Sequence, residues 1–122
     1  MENLLPWLYL INSVLLIIHE IDSAYWKEWD VFGLPGGITG FLLIHFPLLV
    51  LVLYGLILVF QQAFAGLIFS LGLSVAGIFG FGIHMVLFQK GRKEFRTPIS
   101  ISILVAILIF SLAQGTVTVY LL

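Results

Sequence analysis

The sequence predicts an all-α integral membrane protein: a four-helix bundle with both termini on the extracytoplasmic side. Three observations carry that reading. The chain of 122 residues is 61% hydrophobic and only 9% charged, where a soluble domain carries roughly a quarter charged residues. Mean hydropathy is +1.20. Four apolar stretches, about 4–26, 38–60, 63–88 and 98–122, each reach the ~20 residues that a membrane span needs. Finally, Lys27, Lys90, Arg92, Lys93 and Arg96 are all of the basic residues, and all fall in the first and third connections. With four spans these connections share one side, which the positive-inside rule makes cytoplasmic.

One transmembrane domain over 1–122 is expected. The chain has no cysteine, which excludes disulfides, thiolate metal sites, iron–sulfur clusters and thiol catalysis. A net charge of −1 offers nothing to nucleic acid. Glu2 stands at the N-terminus without a basic region, so the first apolar run is expected to stay in the mature protein and not to be a cleaved signal.

The first span opens with Pro6 in its first turn, where a missing N–H costs nothing. Trp7 and Tyr9 suit one interface, and Tyr25, Trp26 and Trp29 the other, as aromatic belts do. The connection from Lys27 to Gly37 reads as polar and then turn-rich at Gly33-Leu34-Pro35-Gly36-Gly37. The second span carries His45, with Pro47 as an expected kink. Gln61-Gln62 makes a tight turn, so the second and third spans are antiparallel neighbours. The third span is rich in Gly and Ser and carries His84. Thr97-Pro98 reads as N-cap and first-position proline of the fourth.

Ionisable groups at membrane depth mark a functional site by default. The first span holds such a group in His19-Glu20-Ile21-Asp22-Ser23. Counted from the cytoplasmic ends of their spans, His19, His45 and His84 all lie roughly 7–11 Å deep at 1.5 Å per residue. A lone membrane histidine often just hydrogen-bonds a neighbouring helix. Three at one level, on three helices and beside carboxylates, argue for a shared site. Asn12, His19, Asp22, Ser23 and Trp26 fall on one side of the first span, with Glu20 flanking that stripe. Gly66, Ser70, Gly77 and Gly80 share the face of His84, and small residues mark close helix approach. That face predicts helix packing or a homo-oligomer contact. Ser111, Gln114 and Thr118 form a separate polar face on the fourth span, toward its outer half.

Three imidazoles with Asp22 match the ligand types of Zn²⁺, Mn²⁺ or Fe²⁺, and His19 and Asp22 are spaced i, i+3 so that both can reach one ion. The expected metal set is therefore His19, Asp22, His45 and His84, with Glu20 and Asp22 as candidate catalytic carboxylates. Lys90, Arg92, Lys93 and Arg96 are candidates for holding the head group of an anionic lipid or isoprenoid phosphate, or only for setting topology. Together these point to a metal-dependent enzyme acting on a lipid-like molecule from the cytoplasmic leaflet. Three other classes stay open: haem ligation by His45 and His84 for electron transfer, a proton relay, and a metal-free isomerase using Glu20 or Asp22 as acid and base. Glu28 and Asp30 belong either to the mouth of the site or to a solvated loop, and the loop is the preferred reading.

The His19-x-x-Asp22 pattern in a first membrane helix resembles the HXXEE-type families of small four-helix bacterial membrane proteins of unknown function. The longer run from His19 through Trp29, followed by Phe32-Gly33-Leu34-Pro35-Gly36-Gly37, looks like the signature of one such group. Asp22 and Ser23 stand where the pattern has two glutamates. The resemblance covers about the first 40 residues and the four-span layout. It implies a multi-pass protein of the bacterial inner membrane and names no reaction.

Overall fold

The computed structural model describes residues 2–122, all of its regular structure helical: α1 (Leu4–Tyr25), α2 (Glu28–Val31), α3 (Gly37–Phe60), α4 (Phe64–Gln89) and α5 (Pro98–Leu121). The four long helices are each long and apolar enough to cross a membrane, and their ends lie within a residue of those read from hydropathy. The difference is α2, one helical turn inside the stretch expected to be an irregular connection. Lys27 adopts a left-handed conformation (φ 54°), which folds the chain back over the end of α1. Gly36, also left-handed at φ 98°, begins α3, and only a residue without Cβ takes that conformation cheaply. Pro47 removes one intrahelical donor, yet α3 runs through it to Phe60. Thr97 accepts the Ser100 amide through Oγ1 at 3.2 Å, with Pro98 next to it, which is the N-cap read from sequence.

The bundle is apolar outside and buries polar side chains beside an apolar core. Leu42, Phe46 and Phe79 stand exposed, while Asn12, Ser70, Ser74, Ser111, Gln114 and Thr118 are buried. In a bilayer, lipid chains satisfy the first group and the second must pair internally. They do. Asn12 donates to Ser111 Oγ at 3.2 Å and to Gln114 Oε1 at 3.0 Å. Gln114 donates to the Ser70 carbonyl at 2.9 Å, and Ser70 and Thr118 share a hydrogen bond of 2.7 Å. Ser74 donates to the Ser111 carbonyl at 2.5 Å. This network ties α1, α4 and α5 into one unit.

Two small residues of α4 serve helix contact within the chain. A Cβ on Gly66 would come within 2.8 Å of the α3 backbone at Leu58 and Val59, and one on Gly77 would collide with Ser111. That part of the small-residue face packs against α3 and α5. By contrast, the buried residues of α3 are Val52, Gly55 and Val59, all in its second half. Its first half stands away from the bundle, held by the Trp29–Phe41 ring contact (5.4 Å) and by His45. A cavity fills the space left behind.

Candidate functional site

The structure sorts the three histidines into two groups. His19 on α1 and His84 on α4 face each other, ring centroids 4.9 Å apart at an interplanar angle of 76°. Both are buried, at 7% and 4% exposure. Glu28 joins them: one donor atom from each of His19, Glu28 and His84 lies within 4.8 Å of the others. The left-handed turn at Lys27 is what returns this carboxylate to the bundle.

The hydrogen bonding of His84 decides which of its nitrogens is available. Nδ1 lies 2.9 Å from the Gly80 carbonyl, which can only accept, so Nδ1 carries the proton and the neutral ring keeps a lone pair on Nε2. Nε2 of His84 and Nδ1 of His19 are buried and have no hydrogen-bond partner. Unsatisfied buried polar atoms are costly, and two imidazole nitrogens beside a carboxylate make a donor set that a cation satisfies. Two histidines and one carboxylate are the ligand types of non-haem iron sites and of catalytic zinc sites that keep positions open for substrate.

Phe95 closes this group from the basic end of the bundle. Its ring is 5.6 Å from that of His19 and 4.5 Å from that of His84, and it is 1% exposed. Its backbone is left-handed (φ 67°), uncommon for an aromatic residue. Arginines of the same loop hold it in place. Arg96 donates to the Arg92 carbonyl at 2.6 Å and to the Phe88 carbonyl, and Arg92 donates to the Val31 carbonyl at 3.2 Å. All four residues expected to bind a head group are exposed, and Arg92 and Arg96 also bond the carbonyls of this loop end and of α2.

His45 is elsewhere. It pairs with Glu20, Nε2 to Oε2 at 2.5 Å, and its Nδ1 donates to the Phe41 carbonyl at 2.7 Å. Since Nδ1 holds its own proton, the short contact needs one more, shared between imidazole and carboxylate. Phe41 stacks on the ring at 3.9 Å. Of the three histidines expected on one ion, the structure brings His19 and His84 together and places His45 with Glu20. Asp22 also stands apart. Its Oδ1 accepts from Trp26 Nε1 at 3.0 Å, one turn along its own helix, so the i, i+3 geometry with His19 goes unused; its Oδ2 is buried without a partner.

Both groups reach a cavity of about 610 Å³. His19, Glu20, Glu28 and His84 line its polar end, and Leu16, Leu51, Leu73, Phe81, Leu104 and Ile107 are among its apolar walls. Tyr9 lines it further along α1, its hydroxyl fixed by donation to the Val52 carbonyl at 2.7 Å.

Four long apolar helices with a buried histidine–carboxylate group at one end define a multi-pass, membrane-protein class of fold. The chain belongs to a family of unknown function (DUF6713), whose family model matches residues 5–121. That label differs from the HXXEE-type families that the His19 stretch resembles. No curated protein and no solved structure gives a significant match to the chain.

Proposed function

We propose that this protein is a divalent transition-metal-binding protein of the bacterial inner membrane, and that it acts as an enzyme on a lipid-like molecule. His19, His84 and Glu28 hold the ion. The observation that supports this is the pair of buried, unpartnered imidazole nitrogens facing one another with Glu28 within 4.8 Å. Zn²⁺, Mn²⁺ and Fe²⁺ suit that donor set. Such an ion polarises a carbonyl or phosphoryl oxygen, or lowers the pKa of a bound water. The end carrying all five basic residues faces the cytoplasm under the positive-inside rule, with both termini outside. Lys90 and Lys93, exposed there, are placed to meet anionic head groups.

Elemental analysis of tag-free protein, purified in mild detergent without chelator, tests the metal reading. About one equivalent of a transition metal is expected, lost in His84→Ala and in Glu28→Gln with helical content retained. Metal-free protein that refuses added Zn²⁺, Mn²⁺ and Fe²⁺ sinks it.

A second reading has its own observation. Glu20 lines the cavity and shares a proton with His45 at 2.5 Å, an arrangement suited to general acid–base work on a bound substrate. It supports a metal-free isomerase. Haem ligation by His45 and His84 has no such support, because the two rings belong to different groups.

A further inference from the structure

We propose that the cavity binds the hydrocarbon chain of a long-chain alcohol taken sideways from the bilayer between α3 and α4, its hydroxyl reaching His84. The proposal rests on reading the His19/Glu28/His84 end as the reactive end. Four features of the molecule carry it.

The opening is lateral. Leu48 and Leu51 on α3 and Ile68 on α4 line the cavity and are also 40%, 55% and 52% exposed. Side chains that border both the cavity and the outside mark a slot between two helices. In a membrane that slot faces lipid chains and not water.

The floor of the slot is smooth. Gly72, Ala76 and Gly80 line the cavity and recur every fourth residue along α4, and the next residue in that row is His84. Such a row winds slowly around the helix, about 40° per step, and all four residues stay on the cavity. A Cβ at Gly72 or Gly80 would meet nothing within 4 Å, so these glycines do not serve helix contact as Gly66 and Gly77 do. They leave a trough that ends at a buried imidazole whose Nε2 is unpartnered.

The length suits an alkyl chain. From His19 to Tyr9 the cavity follows α1 for about 15 Å at 1.5 Å per residue, half of a hydrocarbon core of about 30 Å.

The head must donate. With Nδ1 committed to Gly80, His84 presents a lone pair on Nε2, and Glu28 beside it presents carboxylate oxygens that accept when ionised. A hydroxyl fits either state of this end: without an ion it donates to His84 Nε2, and with an ion on Nε2 its oxygen would join the ion while its hydrogen goes to the free Glu28 oxygen.

The test uses full-length protein in phosphatidylcholine nanodiscs and two photoreactive hexadecanol analogues. One carries a diazirine at the terminal carbon, the other at the carbon beside the hydroxyl-bearing one. Mass spectrometry of the crosslinked peptides is expected to place the terminal label at Tyr9 and Leu73 and the head-proximal label at Gly80 and Ile83. Excess unlabelled hexadecanol should remove both labels, as should Gly72→Trp, which fills the trough. Labels confined to the outward residues Leu42, Phe46 and Phe79, and indifferent to competitor, would overturn the proposal on wild-type protein alone, whether or not the variant folds. Metal content read on the same samples separates the two readings. Labelled cavity without metal removes the metal assignment only; metal without cavity labelling removes this inference only.

Discussion

Glu20 on α1 and His45 on α3 share one hydrogen-bonded proton across 2.5 Å, and this pair holds the first half of α3 where no α3 residue is buried. It closes the gap beside the cavity without filling it. The contact is therefore both a strut and a candidate acid–base pair.

A double-mutant cycle separates the strut from its surroundings. Glu20→Ala and His45→Ala are each expected to lower stability, with a coupling of about 0.5–3 kcal/mol between them, the range for residues in direct hydrogen-bonded contact. Unfolding in mixed micelles reads it. Additive single mutants would mean that the pair carries no load.

Phe95 makes a prediction about access. Phe95→Ala should expose both rings of the His19–His84 group, so carbethoxylation by diethyl pyrocarbonate should become faster at these two residues than in wild type. Deleting a buried aromatic ring costs about 3–5 kcal/mol, so Phe95→Leu, which keeps most of the volume, is the control expected to stay near the wild-type rate. Equal rates in all three proteins would show that reagent reaches the imidazoles by another route.

The two kinds of glycine on α4 should behave oppositely. Gly66→Ala pushes a methyl against the α3 backbone at 2.8 Å and should destabilise by about 1–3 kcal/mol through overpacking. Gly72→Ala meets open space and should be neutral or gain up to about 1 kcal/mol from helix propensity. Thermal unfolding of the two variants checks the order.

Orientation is testable cleanly because the chain has no cysteine. A single cysteine at Lys93 should resist a membrane-impermeant maleimide in intact cells and react after lysis, while one at Glu2 should react in both. The reverse pattern would invert the topology.

Much of the fold was legible because span length, the Thr97-Pro98 start and the basic connections are local signals. The meeting of His19 and His84 was legible from depth. What escaped has a physical reason in each case. Glu28 reaches the site only because Lys27 takes a left-handed turn, which nothing in a lysine announces. Asp22 is captured by Trp26 one turn away, a local competitor stronger than an i, i+3 spacing with His19. His45 sits at the right level and turns to Glu20, since depth is set by residue count and facing by packing. Phe95 looked like one apolar residue in a charged run, and its burial depends on loop closure by Arg92 and Arg96.

The network around Gln114 has a consequence for how the protein is made. Asn12 is inserted early, but the groups to which it donates, Ser111 and Gln114, leave the ribosome about a hundred residues later; at 5–20 residues per second that is a wait of roughly 5–20 seconds. During it the first helix carries an unsatisfied amide in or beside the bilayer, a debt that only the last helix settles. Assembly is therefore completed from the C-terminal end, and a nascent chain stopped before α5 should be held by the insertion machinery or handed to a protease.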